Sequence, residues 1–151
     1  MPYLHLKAES RCYFVITNSA DRTPLFANPQ AARIILNALL HLRSRGRLKL
    51  HAFVIMPDHL HFVASLGRKE ELSRLMHSLK SYTAKEINKS LSTKGKVWQR
   101  GYYSHGIRNE RDMEEKIRYI ALNPVRAGLS ETAEDCRFSS AGLESGGIDS
   151  W

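Results

Sequence analysis

The sequence predicts an α+β fold: a four-stranded antiparallel sheet in the order β-α-β-β-α-β, with one additional helix after the last strand. Three observations predict it. Runs rich in aromatic and β-branched residues fall at 11–18, 49–56, 59–66 and 97–108. Two stretches with helical spacing of apolar residues separate them. A third such stretch follows at 109–123.

Each element has its own warrant. RCYFVITN at 11–18 reads as a strand and stops at Ser-Ala-Asp-Arg-Thr-Pro. Asn28 followed by Pro29 marks a helix start, an N-cap and then a proline in the first turn. Ile34, Ile35, Leu39 and Leu42 recur at helical spacing, and Gly46 ends the helix. KLHAFVIM and HLHFVASL flank Pro57-Asp58 as a hairpin. Apolar residues on both of its faces place it at the centre of the sheet.

A second helix over 70–91 carries Leu72, Leu75, Met76, Leu79 and Ile87, and Ser-Thr-Lys-Gly turns the chain. VWQRGYYSHGIR at 97–108 reads as a fourth strand weakened by two glycines. Asn109 caps the third helix, with Met113, Ile117, Ile120 and Ala121 as its apolar stripe, and Pro124 ends or kinks it. Right-handed crossovers turn this order into the ferredoxin-like split, with two helices on one sheet face. The other face is left for the third helix or a ligand. Length fits a single domain, with a core at about 11–139 and a polar tail at 140–151.

Charge narrows the function. Twenty-three Lys and Arg against fifteen Asp and Glu give +8, with a pI of about 9.7. Such a balance is a usual nucleic-acid footprint. Basic residues also cluster, at Arg43, Arg45, Arg47 and Lys49 and at Lys80, Lys85 and Lys89. No run has the length of a membrane span, and MPYLHLKAES has no signal-peptide core, so a cytoplasmic chain without a membrane partner is expected. Cys12 and Cys136 lack metal or disulfide spacing and read as packing residues.

The chemistry starts at His59-Leu60-His61. Strand alternation puts both imidazoles on one face, with Val63 and Ser65, while Leu60, Phe62 and Ala64 point to the other. Two imidazoles at i and i+2 can share one metal, although an isolated pair of this kind is a weak signal. On the third helix, Tyr119 and Asn123 stand four apart on one flank, with Glu115 a turn earlier. A tyrosine with an amide one turn later fits a nucleophile beside a third ligand, provided the helix lies across the histidine face. Taken alone, the same pair reads as a surface tyrosine and a C-terminal cap.

MPDHLHFV and KVWQRGYYSHGIRNERDMEEKIRYIALNPVRAGL resemble the REP-associated tyrosine transposases, within the single-tyrosine HUH transposases of small insertion sequences. The resemblance runs from about Tyr13 to about Ser139. It implies His59 and His61 as metal ligands, Tyr119 as nucleophile, and magnesium or manganese as the metal. Asn123 stands where the wider family has glutamine, which leaves His105 as a rival third ligand. The implied partner is single-stranded DNA with hairpin or palindromic ends, handled by a monomer or a homodimer.

The implied reaction cleaves and rejoins DNA through a 5′-phosphotyrosine. A free phenol, with a pKa of about 10, needs help to attack at neutral pH, and a metal that polarises the scissile phosphate supplies part of it. Arg11, Lys80, Arg100, Arg108 and Arg126 are candidates for phosphate contacts, and Trp98, Tyr102 and Tyr103 for base stacking. Tyr82, in the basic stretch LKSYTAKE, competes with Tyr119 as nucleophile, but its helix flank offers no metal-ligand type except glutamate. Two rivals differ in kind. A metal-dependent nuclease would leave no covalent intermediate. An RNA-binding sheet would ignore chelators, and it would carry stacking rings where this chain carries histidines.

Overall fold

The computed structural model describes residues 11–142 and 148–150. The opening decapeptide and part of the 140–151 tail lie outside them.

Four strands form the sheet: β1 (Cys12–Asn18), β2 (Leu48–Met56), β3 (His59–Leu66) and β4 (Tyr103–Gly106). Their spatial order is β2-β3-β1-β4, and every neighbouring pair is antiparallel. Helix α1 (Pro29–Ser44) joins β1 to β2, and α2 (Leu72–Leu91) joins β3 to β4. Helix α3 (Glu110–Arg126) follows. This is the predicted split, and period-two alternation separates its two faces.

On one face, α1 and α2 cover Val15, Phe53, Leu60 and Phe62 with Ile35, Leu39, Leu75 and Leu79. On the other, Met113 and Ile120 of α3 pack on Phe14, Val54, Met56 and Val63. Helix α1 starts as its sequence dictates: the Asn28 side chain accepts from Gln30 N, and Pro29 occupies the first turn. The 57–58 turn pairs Met56 directly with His59. That register carries both histidines onto the α3 face, with His61 between Ile16 and Val54. Cys12 is buried and its thiol is pushed up to about 11 by that burial, which suits a packing role.

Two expectations need correction. The fourth strand is shorter than 97–108. Its first part pairs only with the last residue of β1 and the chain just beyond it, with Ala20 N donating to Val97 O and Gln99 N to Asn18 O. Gly101 (φ +81°) then breaks the ladder before Tyr103. Helix α3 runs past Pro124 to Arg126, because a proline near the end of a helix removes one hydrogen bond while its own φ still suits the helix.

Residues 138–140 and Asp149 dock on the sheet beside β2. Ile55 N donates to Phe138 O and Ser140 N to Phe53 O along the free edge of β2. Asp149 is forked by Arg43 at 2.9 and 3.0 Å. The segment covers an edge that would otherwise expose unpaired backbone.

Candidate metal and nucleophile site

The hairpin turn delivers the first part of the site. His59 opens β3, and its Nδ1 lies 2.6 Å from Asp58 Oδ1. Asp58 is itself held in place. Arg22 pairs with its carboxylate at 3.0 Å, and its carbonyl accepts from both Ser19 N and Ser19 Oγ. Burial would raise the Asp58 carboxyl, but the His59 and Arg22 contacts outweigh it and hold it below the usual range. A carboxylate on Nδ1 fixes the ring orientation and leaves Nε2 for a ligand.

His61 is different in kind. It is 2% exposed, and neither ring nitrogen has a hydrogen-bond partner among the described residues. Its pKa is pushed down to about 3, first by burial and then by His59, Arg126 and Arg22. The imidazole is therefore neutral, with a lone pair available. The two histidine rings meet edge to face, 4.5 Å between centroids. A buried polar group left unsatisfied costs about 1–3 kcal/mol. A metal ligand is a ready explanation for retaining one.

The tyrosine arrives from above. Tyr119 meets His61 at 5.6 Å between ring centroids, inclined at 75°. Phe14, buried on β1, touches both: it stacks on His61 at 5.9 Å and meets Tyr119 edge to face at 5.9 Å. The Arg126 guanidinium lies 4.6 Å from the Tyr119 ring centroid and donates to the Tyr119 carbonyl at 2.9 Å. Tyr119 as a residue is 40% exposed, so a substrate can approach it.

What sets the height of α3 is a buried carboxylate. Asp112, 3% exposed, accepts from Arg108 N at 2.9 Å, from Lys116 Nζ at 3.1 Å and from His105 Nε2 at 2.8 Å. Its own N–H donates to the N-cap Asn109 side chain. Burial alone would raise this carboxyl, but those donors hold it well below the ordinary carboxylate range. The start of α3 is thereby tied to β4, and Lys116 reaches on to the Phe14 ring at 5.9 Å.

Of the predicted residues, His59, His61 and Tyr119 come together within one chain. Asn123 is half-buried one turn after Tyr119, on the same flank. His105 faces the same side of the sheet, with its Nε2 on Asp112. Arg126 reaches the tyrosine, and Arg100 and Arg108 are exposed. Lys80 instead bonds the carbonyls of Gln99 and Gly101, bracing the break before β4. Arg11 bonds Gly67 O at the end of β1 away from the histidines, roughly 16–24 Å along the strand.

Trp98 is buried with its Nε1 on Thr83, so it packs and does not stack bases. Tyr102 and Tyr103 are exposed. Tyr82 lies on α2, on the opposite sheet face from the histidines. Sequence reasoning missed Asp58, Arg22, Asp112 and Phe14. Only Asp58 had a signal, its place directly before the first histidine.

No group of three His, Cys, Asp or Glu able to hold a metal occurs among the described residues. Two imidazoles would need an amide, water or phosphate oxygen to complete a coordination shell. The model of the IS200-like transposases matches residues 8–123, a span that includes both histidines and Tyr119.

The chain belongs to the IS200-like transposase family.

Among its relatives, this transposase is similar to the REP-associated tyrosine transposase of Escherichia coli K12. The two are 25% identical over 129 residues, which span 85% of this chain and 74% of the relative. Its fold is shared with a solved REP-associated tyrosine transposase bound to a REP hairpin. That match has a TM-score of 0.70 and 24% identity, and covers 85% of this chain and 75% of the other. No helix among the described residues is long and apolar enough to cross a membrane.

Proposed function

We propose that this transposase cleaves and rejoins single-stranded DNA at hairpin-forming repeat ends in the cytoplasm, through a covalent link to Tyr119. One observation carries the reading: an exposed phenol rests against a buried, neutral imidazole whose two nitrogens have no protein partner. The hairpin-bound relative of the same fold supports the choice of DNA.

His59 and His61 would hold the metal, magnesium or manganese, with the Asn123 amide as the third protein ligand. A bound divalent ion supplies polarisation of the scissile phosphate and offsets its charge. Asp58 keeps the His59 ring turned so that Nε2 faces the site. Phe14 and Arg126 both contact the Tyr119 ring and restrict its position. The Tyr119 oxygen attacks phosphorus and its proton passes to water. The bond from phosphorus to the 3′ oxygen breaks, and that oxygen takes a proton. A 5′-phosphotyrosine and a free 3′-OH result, and attack by a second 3′-OH reverses the step on another strand. Because all three side chains meet in one chain, a monomer suffices.

The test is a denaturing gel of the protein with labelled single-stranded repeat hairpins, with and without manganese. A metal-dependent covalent complex supports the reading. Cleaved DNA without any adduct contradicts it.

A further inference from the structure

Tyr119 also forms part of the wall of an open groove of about 430 Å³ on the solvent flank of α3, to which no role has yet been given. Three of its lining residues are arginines, Arg111, Arg118 and Arg126, and Leu122 adds an exposed apolar surface. The positions 111, 115, 118, 122 and 126 follow helical spacing, so they form one continuous stripe. The acidic lining residues, Glu114 and Glu115, sit at its N-terminal end, where Arg111 pairs with Glu115 at 3.3 Å. The half that adjoins the phenol therefore carries Arg118 and Arg126 together with Tyr119 and Leu122.

We infer that this groove is the track for the unpaired DNA strand leading away from the scissile phosphate. The assignment rests on the strand-transfer reading for the identity of its ligand. A strand joined to Tyr119 must leave along a surface that adjoins the ring, and this groove does. Cations beside exposed apolar and aromatic surface are what an unpaired strand requires, phosphates on the arginines and bases against the flat or apolar groups. A duplex would gain nothing from Leu122. Arg118 is the new residue in this assignment, and Arg126 links the track to the nucleophile through its contact with the ring.

The test measures binding of a fluorescent thymidine oligonucleotide of roughly twelve nucleotides, within the usual site size, across a salt series. It compares the full chain with Arg118→Ala, Leu122→Ala and Arg45→Ala. The last removes the same charge from the end of α1, on the other face of the sheet. Arg118→Ala is expected to weaken binding several-fold at low salt and to lower the salt slope by about 0.7, the single-strand value for one phosphate contact. Leu122→Ala is expected to weaken binding without changing the slope. An Arg118→Ala slope equal to that of Arg45→Ala overturns the track. Since this readout needs no cleavage, the absence of a covalent adduct overturns the reaction alone.

Discussion

The Tyr119 ring meets the His61 imidazole edge to face, 5.6 Å between centroids, and His61 has no other claim on its nitrogens among the described residues. A core position facing Ile16, Val54 and Phe14 would ordinarily hold an aliphatic side chain. The protein therefore keeps a polar ring where packing alone would choose a leucine.

This leads to a test of function against stability. His61→Leu removes two unsatisfied buried nitrogens while nearly conserving volume. In metal-free buffer it is expected to unfold in urea at the same or higher concentration than the unaltered chain, with a gain of about 1 kcal/mol. The same variant is expected to form no covalent adduct. A loss of stability of similar size would mean that His61 is an ordinary packed residue.

Asp58 acts on the metal through His59. Asp58→Asn keeps a hydrogen-bonding group in place but loses the charge on Nδ1 and the Arg22 ion pair. Loss of a carboxylate behind a ligating histidine typically costs about 10- to 100-fold in metal affinity. Adduct yield titrated with manganese should therefore shift to higher metal concentration and recover at saturation. An unchanged midpoint would contradict this role.

Phe14 separates packing from positioning. Phe14→Ala opens a cavity beneath α3, with an expected loss of about 3–5 kcal/mol. Phe14→Leu leaves a smaller cavity and is expected to lose less than Phe14→Ala, so the chain stays folded while the ring that touches both His61 and Tyr119 is gone. Adduct formation by Phe14→Leu should then be slow even at saturating metal and DNA. Unaltered rates would show that α3 alone places the tyrosine.

Asp112 gives a pH signature. Its carboxyl is depressed in the folded protein, so its contribution is fully present above the unfolded value of about 3.9 and is lost as pH falls through the folded value. Asp112→Asn should therefore be destabilised by about 2–3 kcal/mol at neutral pH. The gap should narrow in urea titrations carried below about pH 4. A gap independent of pH would mean that the charge on Asp112 does not hold α3 to β4.

How far the sequence revealed this is a matter of range. His59 and His61 share a face because strand alternation is local, and Tyr119 and Asn123 share a flank because helical spacing is local. The Asn28 and Asn109 caps were legible for the same reason. The commitment of His105 to Asp112 was not, since it depends on where α3 docks against β4. Lys80 and Trp98 look like a phosphate contact and a stacking platform in sequence, yet they serve the break before β4 and the helical core. Neither the Gly101 break nor the docking of residues 138–140 on β2 has a periodic signal. Phe14 read as one more strand aromatic until α3 was placed above it.

The central claim reduces to which hydroxyl joins DNA. The direct measurement is mass spectrometry of the covalent complex formed with single-stranded hairpin DNA and manganese, run beside Tyr119→Phe and Tyr82→Phe. The account predicts a nucleotide adduct on the peptide containing Tyr119, absent in Tyr119→Phe and retained in Tyr82→Phe. An adduct that survives Tyr119→Phe would contradict it.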